Sequence, residues 1–442
     1  MSVVNNSEKN QLKKVLGLGF GIAIVIGGTI GVGILRTPGT IAAQLPNIWL
    51  ILLCWLVGGL YMFISAISYA ELAAMMPKAG GMYNYVKIAF GNYFGFIVGW
   101  FDYIVNAMAP AYYSIVISEY LLLLFPNIPL SKTIMGLLIL SSFVGLNLLG
   151  TRTGSIFQQI TSVIKVLFFL FLIIACFGWG SASVNPAEVV THLSEPKSLL
   201  LPFFIALQFI TGAYNGWWNA AVFAEEDTDP GKNLPRSFFI GTLIIIAIYL
   251  LINAALFYVV PVDQAANNPL VASQAAELVF GKAGFIIMVL FALFSLINIL
   301  NAYMMIPARI LFGLGRDGLF LKRATVVNSG GSPVFALIFS FILQAILVVI
   351  SSFDQLFALG SFLGVLILGL TFYSVIFLRK KYPDMKRPYK AWAYPWTTII
   401  ALISTFALII FFSINDFKSL VISIVLILIS IPAFKLVRRG NQ

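Results

Sequence analysis

Long apolar stretches occupy almost the whole chain, and they decide what it can fold into. Twelve of them follow one another, at about 15–43, 49–76, 93–125, 134–149, 156–179, 199–223, 238–260, 284–313, 334–351, 356–378, 394–412 and 420–436. A helix needs roughly 20 apolar residues to cross a bilayer, so 442 residues accommodate about a dozen crossings. Soluble domains carry about 25% charged residues; here 10% are charged and 60% hydrophobic, which excludes a water-soluble globular protein. The stretches are too long for transmembrane strands and show no alternation, which excludes a β-barrel. The expectation is an all-α polytopic membrane protein with twelve transmembrane helices.

The formal charge of +11 would suggest nucleic acid in a soluble protein. In a membrane protein it is read by position. With the N-terminus inside, 21 of the 27 Lys and Arg fall in cytoplasmic segments and five outside, at Arg36, Lys132, Lys197, Lys282 and Lys418. That asymmetry predicts both termini cytoplasmic, makes the lipid bilayer the partner and removes nucleic acid. The one remaining cation, Lys165, lies within a span. Cys54 and Cys176 both sit in apolar runs, so no disulfide framework is expected. Residues 1–14 are polar and lead into a full-length span without a small-residue cleavage site, so no cleaved signal peptide is expected.

Two spans are interrupted. The first contains Gly27-Gly28-Thr29-Ile30-Gly31-Val32-Gly33 and the sixth Gly212-Ala213-Tyr214-Asn215-Gly216, both near mid-depth. Each Gly costs about 1 kcal/mol relative to Ala in a helix interior, so these clusters favour unwinding. Irregular backbone survives at that depth only where protein buries it or where it lines a wet cavity. Two interrupted spans five apart predict an inverted-repeat transporter with its site at the breaks. There, the free N–H groups of one half-helix attract a carboxylate, and the free carbonyls of another receive an ammonium. A zwitterionic α-amino acid supplies both. Close helix packing is the alternative for such glycines, and it is the reading for Gly95/Gly99 and Gly360/Gly364. A dinucleotide fingerprint is excluded because no strand precedes the glycines.

These residues resemble a known family. Gly28-Thr29-Ile30-Gly31-Val32-Gly33-Ile34, Tyr69-Ala70-Glu71-Leu72 and Pro77-Lys78-Ala79-Gly80-Gly81-Met82-Tyr83 look like the first spans of the amino acid–polyamine–organocation (APC) superfamily. Ala213-Tyr214-Asn215-Gly216-Trp217, with Glu225-Glu226 and 230–236 after it, is similar to span 6 and the next loop of the L-type amino acid transporter branch. The resemblance implies a LeuT-like five-plus-five inverted repeat with broken helices 1 and 6. Residues 15–180 and 181–380 would form the two repeats, and 381–442 two extra helices with a short tail. It also implies that backbone at Gly31, Val32 and Gly33 holds the substrate carboxylate. Carbonyls near Ile30, Ala213 and Asn215 would hold the amino group, with Tyr214 and Trp217 shaping the pocket beside Gly216. Gly212 stands where L-type relatives usually carry an aromatic gate.

A lysine within a span is costly and marks a functional position. Lys165 has about nine apolar residues before it, too far from either surface to snorkel at 1.5 Å per residue. In the family such a lysine replaces a sodium ion between spans 1 and 8 and braces unwound span 1, which implies sodium-independent transport; Lys165 is also a candidate proton carrier. Asp102, in span 3, is either a proton site or a satisfied structural acceptor, with the structural role favoured. Glu71 and Glu119 lie near span ends, where they are expected to face water or cap a neighbour. The run Glu225-Glu226-Asp227-Thr228-Asp229 reads as a solvated salt-bridge cluster at the cytoplasmic mouth rather than a metal site, and His192 as surface in an outside loop.

The expected function is secondary active transport of neutral L-α-amino acids by alternating access, as an exchanger or a proton-coupled symporter. A cationic amino acid or polyamine permease would need pocket carboxylates, and only Asp102 lies at depth. A transporter-derived nutrient sensor would usually carry longer tails. A membrane hydrolase lacks its constellation, since the single His lies in a loop, so no enzyme, cofactor or metal is expected. Eukaryotic L-type members bind a heavy chain through a cysteine between spans 3 and 4; residues 126–132 contain none. No disulfide-linked heavy subunit is therefore expected, and the short tails fit a prokaryotic plasma membrane.

Overall fold

The computed structural model describes residues 14, 16–148, 151–182, 199–328 and 330–440, and the side chains of these except 32, 151–157 and 440. Most of the predicted N-terminal tail, His192 and Lys197 therefore lie outside the described residues. Among the described residues the chain is helical, with only isolated bridges of extended backbone.

Every predicted span contains helix. The first is split into α1 (Leu18–Thr29) and α2 (Val32–Ala42). Then come α3 (Ile48–Met75), a short α4 (Met82–Phe90), α5 (Asn92–Leu124), α6 (Lys132–Leu148), α7 (Thr151–Trp179) and α8 (Leu200–Tyr214). A 3-10 helix, Trp217–Glu226, continues the sixth span. The second half runs through α9 (Pro230–Val259), α10 (Val262–Ala265), α11 (Val271–Phe280), α12 (Lys282–Arg316), α13 (Val334–Ile350), α14 (Phe353–Lys381), α15 (Trp396–Asn415) and α16 (Phe417–Gly440). Nine of the described helical segments, α1 and α2 taken together, are long and apolar enough to cross a membrane, and α6 and α13 are shorter apolar helices. The protein is thus a polytopic membrane protein.

Local chemistry sets the boundaries. The Asn47 side chain accepts from the Leu50 N–H at 2.9 Å to start α3. Ser352 and Gln355 form a capping box at α14. Pro230 occupies the first turn of α9, where its missing N–H costs nothing. Helices α4, α10 and α11 lie in segments between the predicted spans, and α11 packs on α12, α7 and α9.

The broken spans sit at the centre. Helix α2 packs on α8, and α1 on the 3-10 helix, so the two interrupted spans lie side by side with their breaks adjacent. Helices α9, α7 and α12 flank α1, while α5 packs on α12 and α14. The window of α1 and α2 is 82% buried, against 28% for α15 and 11% for α16, which places these last two at the periphery. Their exposed Ile403, Phe406, Ile410 and Leu428 suit hydrocarbon.

Of the two alternatives expected for Glu71, facing water fails and capping a neighbour holds. Glu71, at the end of α3, does not face water; it is 1% exposed. Its carboxylate accepts from Arg379 at 2.8 and 2.5 Å and from the Ala391 N–H at 2.7 Å, with the Arg387 Nε at 3.3 Å. The loop after α14 folds over the end of α3, and Glu71 is the acceptor on which that loop closes. Glu119 is only part-buried and pairs with Arg36 and Lys132 at 2.5 and 2.9 Å. Because two guanidinium groups converge on Glu71, Glu71→Ala should destabilise the fold by about 3 kcal/mol or more. A thermal melt in detergent reads this as a clear fall in midpoint, and an unchanged midpoint would show the clamp to be dispensable.

Candidate functional site

The backbone leaves helical geometry at Ile30 (φ −73°, ψ 100°) and Gly31 (φ −147°, ψ −138°) before α2 begins at Val32. The sixth span breaks at Asn215 (φ −59°, ψ 149°) and Gly216 (φ 103°, ψ −14°). Gly216 is left-handed, a conformation costly for any residue with a Cβ. A Cβ there would also lie 2.6 Å from the Gly28 carbonyl oxygen. A Cβ on Gly33 would sit 2.6 Å from Ala213 Cα, so α2 and α8 touch backbone to backbone. The first N–H groups of α2, at Val32 and Gly33, open toward the break as an anion-binding end.

The freed carbonyls of the first span have partners. Lys165, 0% exposed, donates from Nζ to Ile30 O at 2.7 Å and Gly27 O at 3.4 Å. The Tyr249 hydroxyl, from α9, lies 3.0 Å from both Thr29 O and Ala213 O and so spans the two breaks. Two carbonyls expected to receive a substrate ammonium, those of Ile30 and Ala213, are thus already engaged, each keeping one lone pair. Beside Lys165, Ser162 donates to Ala23 O at 3.1 Å, and Asn298 of α12 donates to Thr161 and to Gln158. The ammonium itself bonds span 1; α12 contributes neutral amide groups along the same helix face.

Next to the breaks is a small cavity, with room for little more than a water molecule. Gly212, Asn215 and Gly216 line it, together with Asn106, Trp218, Tyr303, Phe357 and Ser361. Tyr214 and Trp217 do not. Tyr214 turns to donate to Trp55 O at 3.2 Å, and Trp217 packs edge-on against Tyr69 and Trp218. Ile30 and Gly31 are buried behind the cavity wall. Gly212 faces α14, where a Cβ would lie 2.6 Å from the Phe357 ring. Asp102 is 0% exposed and accepts from Asn106 Nδ2 at 2.9 Å, while its Oδ2 faces the Trp218 indole N–H without a well-formed hydrogen bond.

Ion pairs lace both ends of the bundle. At the predicted cytoplasmic end Glu225 takes Arg316 at 2.8 Å through both oxygens, and Glu226 takes Arg309 at 2.9 Å. The acidic run forms ion pairs, but Glu225 and Glu226 meet arginines of α12 rather than the nearby Lys232 and Arg236, and Glu226 and Arg309 are buried, not solvated. Lys87 pairs with Asp317 at 2.9 Å. At the other end Arg36 bonds Glu119 and lies over the Phe353 ring at 4.5 Å.

A family model for amino acid permeases matches residues 21–431. The chain belongs to that family, within the APC superfamily. The permease is 29% identical to the serine/threonine exchanger SteT of Bacillus subtilis, over 97% of this chain and 98% of that protein. It is 30% identical to the human large neutral amino acids transporter small subunit 2, over 86% of this chain and 72% of that one. To the mouse b(0,+)-type amino acid transporter 1 it is 28% identical, over 87% and 80%.

Of the cavity residues that sequence reading missed, Asn106 carried a signal, a carboxamide one helical turn after an intramembrane acid. Phe357 and Tyr303 carried none. Because Gly33 meets Ala213 with no room for a side chain, Gly33→Val should abolish substrate binding, measured by ligand-induced thermal shift, while leaving helix content by circular dichroism unchanged. Retained binding would separate the α2–α8 contact from the site.

Proposed function

We propose that the permease is a secondary active transporter moving neutral L-α-amino acids by alternating access, independently of sodium, as an exchanger or a proton-coupled symporter. The observation that carries this reading is the Lys165 ammonium on the Ile30 and Gly27 carbonyls, beside the cavity at the paired helix breaks. A fixed cation there does the bracing that a bound sodium ion would do, with no ion to load. The α2 N-terminus suits a carboxylate, and the free lone pairs at Ile30, Ala213 and Asn215 suit an ammonium. Gly31, Val32 and Gly33 serve the carboxylate; Gly212 and Gly216 shape the cavity floor, and Tyr214 and Trp217 support it from behind. The neighbouring Trp218 supplies its aromatic wall.

In this reading twelve helices form a LeuT-like inverted repeat, 15–180 and 181–380, with 381–442 appended. Both termini lie in the cytoplasm of a prokaryotic cell whose plasma membrane holds the chain, and transport needs no disulfide-linked heavy subunit. Asp102 plays a structural part. The names of the relatives support the substrate class: one is a serine/threonine exchanger and another a large neutral amino acid transporter subunit.

The test is uptake into proteoliposomes, with unlabelled amino acids as competitors and with or without internal substrate. Neutral L-amino acids should compete, and uptake should persist when choline replaces sodium; loss of uptake in choline would defeat sodium independence. Flux that ignores a pH gradient and requires internal substrate would assign exchange and remove Lys165 as a proton carrier. Lys165→Ala should reduce transport at least about tenfold, since it leaves the carbonyls of an unwound segment without a buried donor. Unchanged transport would take that residue out of the mechanism.

A further inference from the structure

The cavity wall carries polar groups whose hydrogen-bonding direction is fixed. Asn106 lies one turn after Asp102 on α5, and its amide nitrogen donates to Asp102 O at 2.8 Å and to Asp102 Oδ1 at 2.9 Å. A carboxamide has two N–H hydrogens, so both are used. Turning the amide over would set its carbonyl against two acceptors, which fixes the orientation from the network itself. Asn106 Oδ1 is left as the polar atom this residue offers to the cavity it lines. Ser361, on α14, is in the same condition. Its hydroxyl donates to Phe357 O at 2.8 Å, so toward the cavity it presents oxygen lone pairs.

Two wall groups on facing spans therefore accept and do not donate. An apolar substrate side chain would dry them and leave them unpaired, whereas a side chain with its own O–H or N–H would satisfy them. The space suits a short one. The Phe357 ring closes over Gly212 and meets Tyr112 edge-on at 5.7 Å, with Phe353 stacked on it at 5.2 Å. A cationic side chain finds no exposed charge, because the Asp102 carboxylate is sealed behind Asn106 and Trp218.

We propose that the permease selects α-amino acids with a short side chain that donates a hydrogen bond, a hydroxyl or a carboxamide, through Asn106 Oδ1 and Ser361 Oγ. Asp102 is the positioning residue that holds the Asn106 amide in its accepting orientation. This rests on the transport reading above and names the substrate class of the same site.

Near-isosteric pairs test it. In proteoliposomes, uptake of labelled L-threonine is compared with L-valine, and of L-asparagine with L-leucine, each as kcat/KM. The wild-type chain should favour the hydrogen-bonding member of each pair at least about tenfold. Asn106→Leu and Ser361→Ala should each shrink the threonine-to-valine ratio, with threonine uptake falling further than valine uptake. Asp102→Val should shrink the ratio in the same way, and Asp102→Asn, which keeps an acceptor for the Asn106 amide, should restore most of it. A merely structural role for Asp102 would lower both substrates together and leave the ratio in place. Valine or leucine equal to or above its partner in the wild type overturns the proposal, as does a best substrate of lysine type. Either result leaves amino acid transport standing, whereas no uptake of any neutral amino acid would sink the transport reading itself. The wild-type ratios decide even where a variant fails to fold.

Discussion

A buried ammonium and an unwound stretch of backbone are each costly inside a membrane, and in this chain each removes the cost of the other. Among the described residues Lys165 has no carboxylate partner; it is held by the Ile30 and Gly27 carbonyls. Those carbonyls lost their helical N–H partners when the chain left helical geometry at Ile30 and Gly31. Neither feature persists alone, because an uncompensated cation or an orphaned carbonyl in hydrocarbon is worth several kcal/mol against the fold. The packing of α7 against α1 accompanies that pairing.

The second broken span is tied to the first by contacts that tolerate no extra atoms. Gly33 meets Ala213, Gly216 meets Gly28, and the Tyr249 hydroxyl sits between Thr29 O and Ala213 O. A single hydroxyl hydrogen shared by two carbonyls couples the breaks without fixing either as firmly as a full hydrogen bond would. The small residues thus do two things. They allow unwinding, and they bring two unwound segments close enough for one tyrosine to bridge them.

Much of this was legible in the sequence, for a physical reason in each case. Apolar length gave the spans, because backbone in lipid has to satisfy itself within a helix. The glycine clusters gave both breaks, and the one unassigned cation, Lys165, marked a functional position whose bracing role the family resemblance implied. What escaped was direction. The family resemblance that assigned Tyr214 and Trp217 to the pocket says nothing about which face the chain presents after a left-handed residue. Gly216 rotates the following turn so that Trp218, not Trp217, reaches the cavity. Glu71 escaped for a different reason. Its partners, Arg379 and Arg387, lie some 300 residues away, and their proximity depends on how the loop after α14 folds back. Long-range pairing of charges is a property of the packed bundle and leaves no local pattern.

Ion pairs at the two ends of the bundle differ in burial, although the end with the buried pair also carries the partly exposed Arg316–Glu225 and Lys87–Asp317 pairs. Arg36, Glu119 and Lys132 are partly exposed, with side-chain accessibilities of 18, 29 and 50%, so water replaces each partner cheaply. Arg309 and Glu226 are at 4 and 7%, where separating the pair strands two desolvated charges. Glu226 is further tied by its backbone carbonyl, which accepts from the Leu16 N–H at 3.0 Å, while Thr228 N–H donates back to Leu16 O at 2.9 Å. The segment preceding α1 and the end of the 3-10 helix are therefore joined through two backbone bonds, and the 3-10 helix holds the buried arginine. Separating Arg309 from Glu226 therefore costs more than separating Arg36 or Lys132 from Glu119.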